Sequence, residues 1–203
     1  GRVVFCGFLL TVAAIAAPGR LATGVTLYVP FEDGVSPRFC AGSSEPKQTG
    51  GRPVDGRVGQ GRRVGEAGVI FQARGNFHLP RGSASFWMRP AWVPDEGTEK
   101  RVFLRGTNFQ LMWHGPNQVC FFMTGRSRMK EGYKWDYSVA SSDMTNWRPG
   151  EWHHIALTWD SATGEKALYI DGAVEASGQT EGIREHLGKI SDAIRTGAVS
   201  GSS

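Results

Sequence analysis

The chain has 203 residues, with 23 Lys or Arg against 19 Asp or Glu, for a formal net charge of +4. That length accommodates one domain with a sizeable core. The charge excess is mild and its densest stretch lacks interleaved aromatics, which argues against nucleic acid. Glycine (28), Trp (7) and Phe (11) suit many short strands joined by turns, and no C-x-x-C supports a zinc or redox centre.

Residues 1–23 read as a signal peptide. Arg2 precedes a run, 3–17, without charge. It is short for a membrane span and right for a leader core. Ala14-Ile15-Ala16 and Leu21-Ala22-Thr23 offer two cut positions. The chain is therefore expected to be secreted or displayed at the cell surface, with no membrane span left after cleavage. The alternatives are an uncleaved anchor or a buried strand.

Residues 24–180 read as strands in sequence. The first is 26–31, which Pro30 demotes to an edge or a bulge. Residues 34–66 read as a long surface loop with one short strand, and 52–63 as its solvated basic part. Short strands follow at 69–72 and 77–79. Residues 83–89 alternate, with Ala84, Phe86 and Met88 on one face and Ser85, Trp87 and Arg89 on the other, and Pro90 closes the strand. A meander runs through 102–104, 109–113 and 119–123. A basic turn is expected at 125–132, then an alternating strand at 133–139. Residues 152–159 and 167–170 form a hairpin, and Asp171-Gly172 starts another reversal toward Val174. Beyond residue 180, Ile183, Leu187, Ile190 and Ile194 recur at helical spacing, so a short amphipathic helix is expected, followed by a linker-like tail at 197–203. About ten strands against one helix predict an all-β, two-layer antiparallel sandwich.

Three segments together resemble laminin G-like and pentraxin-like modules of the concanavalin A-like lectin/glucanase superfamily. They are T-L-Y-V-P-F-E-D-G at 26–34, G-S-A-S-F-W-M-R-P at 82–90, and E-W-H-H-I-A-L-T-W-D at 151–160 followed by A-L-Y-I-D-G at 167–172. Their order and spacing agree over residues 27–178. The resemblance implies an extracellular jelly roll, often one module of a larger protein. It stops after the last hairpin. Either the sandwich is C-terminally truncated, or residues 183–198 replace the strands that should follow.

Hydrolytic members of that superfamily carry E-x-D-x-x-E, which is absent here, and glycosidases need two carboxylates across the scissile bond. Glu32-Asp33 and Asp95-Glu96 read as turn acids. No G-x-S-x-G, H-E-x-x-H or phosphate loop occurs, so no catalytic residue is expected. His153 and His154 fall on opposite faces of a strand. Sugar binding would need exposed rings, and Trp113, His114, Trp135, Tyr137 and Trp147 are the candidates. Trp87, Trp152 and Trp159 are expected in the core. Related modules often bind calcium, which takes six to eight oxygens; Asp33, Asp95, Asn117 and Asp143 are the candidate ligands. Cys40 and Cys120 form a disulfide or remain two free thiols. The expected function is recognition of a glycan or an extracellular protein surface, without catalysis. A divergent glycoside hydrolase or lyase, or its accessory domain, and a purely structural sandwich are the alternatives.

Overall fold

A computed structural model describes residues 3–11, 24–65, 67–92, 100–106, 109–114, 117–129, 132–179 and 193–200; at 3–11, 100, 124–129, 132–142 and 197–200 it describes the backbone alone. The described residues form sixteen strands and no helix. In chain order they are β1 (Val3–Thr11), β2 (Val25–Val29), β3 (Phe39–Cys40), β4 (Gln48–Thr49), β5 (Arg52–Asp55), β6 (Gln60–Val64), β7 (Val69–Gln72) and β8 (Arg81–Pro90). The second half comprises β9 (Lys100–Gly106), β10 (Phe109–His114), β11 (Gln118–Met129), β12 (Gly132–Asp143), β13 (His153–Asp160), β14 (Glu165–Ile170), β15 (Ala173–Gln179) and β16 (Ala193–Ser200).

They build the two layers of an antiparallel jelly-roll sandwich. One sheet runs β15-β14-β13-β8-β1-β2-β3, with β6 also against β1 and β5 against β6. The other runs β12-β11-β10-β9-β16-β7-β4. Alternation explains the inner faces. Ala84, Phe86 and Met88 of β8, Ile155, Leu157 and Trp159 of β13, and Leu168 and Ile170 of β14 are buried on the first sheet. Phe109, Leu111 and Trp113 of β10 and Val119, Phe121 and Met123 of β11 join them in one core from the second. Trp159 and Phe109 join the layers, with ring centroids 4.8 Å apart and edge to face, and Phe77 stacks on Trp159 at 5.3 Å.

Several expectations are corrected. Pro30 follows β2, which lies between β1 and β3 and is no edge. Residues 34–66 hold four short strands, because backbone pairing there needs no apolar alternation. Buried Arg62 anchors this region. Its Nε donates to the Gly50 carbonyl at 2.7 Å, and its terminal nitrogen donates to those of Thr49 and Gly51 at 3.2 and 3.1 Å. Residues 77–79 are not a strand. The basic stretch 125–132 is mostly strand, since β11 and β12 pair continuously from Gln118–Asp143 to Met129–Gly132. The expected C-terminal helix falls mostly outside the described residues, and its last member is placed otherwise. Residues 180–192 lie outside the described residues, and Ile194 belongs to β16, between β7 and β9. Ile194 and Thr196 are buried while Ala193 and Arg195 are half-exposed, a period of two where the sequence suggested helical spacing.

β1 lies inside the sheet. It pairs with β8 on one side, from Val3 opposite Pro90 to Thr11 opposite Ser83. On the other it pairs with β6 at Val3–Phe5 and with β2 at Phe8–Thr11. No helix among the described residues is long and apolar enough to cross a membrane.

Candidate functional site

The two histidines confirm the alternation argument. His154 is on the solvent side of the first sheet, its Nε2 2.7 Å from Ser85 Oγ. His153 is at the rim, its Nδ1 2.8 Å from Asp171 Oδ2 and its ring stacked on Trp147 at 3.6 Å. The second Asp171 oxygen accepts the His154 backbone N–H at 2.7 Å. Asp171 and Gly172 have φ of 51° and 88°, both left-handed, as the tight Asp-Gly hairpin turn requires.

Most of the expected ligand-binding rings are engaged elsewhere. Trp113 is 2% exposed and meets Trp92 edge to face, so it cannot stack on a sugar. Trp147 is half-buried against the core, with one face covered by His153. His114 is half-buried beside Phe122, with centroids 6.2 Å apart. Trp135 and Tyr137 lie on β12 opposite Arg126 and Thr124.

The expected metal ligands do not gather. Asn117 and Asp143 meet at one end of the β11–β12 pair, where the Asn117 carbonyl accepts the Met144 N–H at 2.8 Å and Asp143 Oδ1 accepts the Thr145 N–H at 2.9 Å. Asp33 is on the turn after β2, and Asp95 lies outside the described residues. Among the described residues no three His, Cys, Asp or Glu side chains surround one point. Among the described residues, calcium therefore has no fitted ligand set. Cys40 and Cys120 are free thiols, on β3 and β11 of different sheets, so the disulfide alternative is not realised.

The structure instead presents a groove on the solvent face of the first sheet, with a volume of about 730 Å³. It crosses the ends of β8, β13, β14 and β15. Register makes its floor. Arg81 faces Asp160, Asp160 faces Glu165, and Glu165 faces Gln179, forming one cross-strand row. Ser83, Thr158, Ala167 and Ser177 form the next. Between them lies a row that faces the interior, Gly82, Trp159, Lys166 and Gly178, with Trp159 and Lys166 buried. Small residues in the inner row and polar ones in the outer row leave a trough that is open and rich in hydrogen-bonding groups.

Its charges are organised. Arg81 Nε donates to Asp160 Oδ2 at 2.7 Å, and a second guanidinium nitrogen pairs with the same oxygen. Burial pushes the Asp160 carboxyl up, but the N–H groups of Ala162 and Thr163 and the Arg81 guanidinium outweigh it and hold the carboxyl below its ordinary value. Asp160 is thus kept ionised, unlike a general acid, which must hold its proton. Thr163 Oγ1 donates to Glu165 Oε2 at 3.0 Å, and Gln179 Nε2 donates to the Thr163 carbonyl at 3.0 Å.

Farther along the same face the strands carry rings. Trp87, expected in the core, is half-exposed there, 5.1 Å from the His154 ring and capped by Arg57 at 4.3 Å. Trp152, also expected in the core, is half-exposed under Arg89 at 4.9 Å. Trp159 alone of the three is core. Sequence reasoning missed Ser83, Thr158, Ser177 and Gln179. Their signal was the run of small polar residues at solvent-facing positions of strands that turn out to be neighbours.

A solved structure similar in fold is the catalytic domain of an endo-1,3-β-glucanase (laminarinase) from Thermotoga petrophila RKU-1. The identity is 16% and the TM-score 0.39, and the match covers 74% of this chain and 64% of that one. The chain thus spans a little under two thirds of that domain. The family Laminin_G_3, described as concanavalin A-like lectin/glucanases superfamily, matches residues 65–198, about two thirds of the chain. Together with the antiparallel sandwich, that match shows that the chain belongs to the concanavalin A-like lectin/glucanases superfamily.

Proposed function

We propose that this protein is a non-catalytic recognition module that holds an extended glycan in the groove across β8, β13, β14 and β15. The observation that carries this reading is the pair of in-register rows, Arg81–Asp160–Glu165–Gln179 and Ser83–Thr158–Ala167–Ser177. A row of donors and acceptors beside a row of small side chains suits a flat, hydroxyl-rich chain. Trp87 and Trp152 farther along the face add apolar surface with a cationic rim. The leader-like run 3–17 supports a role outside the cell. An ionised Asp160 held by Arg81 does not suit the general-acid role that glycoside hydrolysis needs.

Calorimetric titration of the full chain with a panel of oligosaccharides, with and without calcium, tests the reading. Thr158→Trp places an indole in the middle of the groove and is expected to weaken binding about tenfold or more, the loss of roughly 1.4 kcal/mol. Trp147→Ala is expected to leave affinity unchanged. Absence of glycan binding in both conditions, or wild-type affinity in Thr158→Trp, would overturn it.

A further inference from the structure

The segment with the composition of a leader is also an inner strand of the first sheet. β1 separates β8 from β2 and β6, and among the described residues no other strand joins those two halves. Its register places Phe8 between Phe86 and Val29, and Leu10 between Ala84 and Leu27. Those four neighbours are all essentially buried, at 2%, 0%, 1% and 0% exposure. Cleavage at residue 16 or 23 would lift β1 out. Backbone donors and acceptors of β8 along residues 83–90, and of β2, would then face a gap one strand wide, walled by core residues. Unpaired edges of that kind take up strands.

We propose that the space between β8 and β2 is a strand-acceptor site. Its ligand is an extended, uncharged apolar segment of about nine residues, antiparallel to both neighbours, the chemistry Val3–Thr11 itself shows. Main-chain hydrogen bonds to β8 and β2 supply the attachment, and apolar residues at the register positions of Phe8 and Leu10 supply the selectivity. Val3–Thr11 fills the site in the intact chain, and its removal opens the site to another strand. This inference is independent of the groove.

The test uses the full chain with Phe8→Asp and Leu10→Asp, which sets charges at register positions flanked by the buried residues Phe86, Val29, Ala84 and Leu27, where an unpaired charge is costly. The probe is a fluorescent Val3–Thr11 peptide with lysines appended at both ends and Cys6→Ser. The expected result is that the double variant takes up one peptide per chain while the wild type, its site filled, does not. A peptide carrying Phe8→Asp should bind about tenfold more weakly or worse. If the variant is unfolded alone, recovery of wild-type circular dichroism on adding the peptide supports the proposal, and failure to recover overturns it. A folded variant that ignores the peptide, equal uptake by wild type and variant, or self-association of the variant in place of uptake would each overturn it as well.

Discussion

Lys166 has a large and testable effect on stability. It faces the sandwich interior from β14 and is 4% exposed, and its Nζ has no hydrogen-bond partner among the described residues. The contact in its favour is with the Phe121 ring, whose centroid is 5.9 Å away. Burial lowers its pKa from 10.5 to about 7. Burial in turn raises the pKa of Cys120, which leaves it a neutral thiol over the neutral range. Below pH 7 the native state carries a buried ammonium. Between about 7 and 10.5 the unfolded chain is protonated at this site and the native one is not, so stability rises with pH. The full interval corresponds to about 5 kcal/mol at 1.36 kcal/mol per pH unit. Lys166→Met keeps the volume and removes the charge. The variant should be more stable than wild type at pH 6, and that advantage should shrink by about 3 kcal/mol by pH 9. Urea unfolding followed by tryptophan fluorescence at both pH values measures it. A variant no more stable than wild type at pH 6, or an advantage that does not change with pH, would refute the reasoning.

Other consequences concern polar anchors. Arg62→Ala removes three bonds to the carbonyls of residues 49–51 and is expected to cost about 3 kcal/mol in urea unfolding and to speed proteolysis near those residues. Asn76 is fully buried, accepting the Gly42 N–H at 2.8 Å and donating to the Ser43 and Gln72 carbonyls at 2.8 and 3.1 Å, so Asn76→Ala should cost about 2 kcal/mol or more by the same assay. Asp160 has a lowered carboxyl pKa, so its stabilisation is present above its unfolded value of about 3.8 and fades as pH falls through the folded value. The stability difference between wild type and Asp160→Asn should therefore be clear at pH 6 and vanish in acid; a difference that persists in strong acid would exclude the Arg81 pairing as its source.

Some of the site was legible before any coordinates. The alternation of 83–89 separated the two faces of that strand, because a strand of one buried face repeats every two positions, although Trp87 and Trp152, expected in the core, are half-exposed. Alternation also split His153 from His154. The candidate rings were harder to place. Trp113 was near a strand end, but whether an end is solvent or core depends on what lies across the sandwich, and here that is Trp92. The groove was invisible for a related reason. Asp160 and Gln179 lie on β13 and β15 with β14 between them, and only pairing brings them into one row.

Local sequence determined the β class, the β13–β14–β15 meander with its Asp-Gly turn, and the superfamily, since these rest on alternation, turn chemistry and short-range spacing. The tertiary structure decided the rest. The same apolar residues serve a leader or an inner strand, and Ile194 serves a helix face or a sheet, according to the edges available to pair with. An apolar segment supplies hydrophobicity in either setting. Which backbone groups satisfy its own is settled by distant strands that sequence proximity does not reveal.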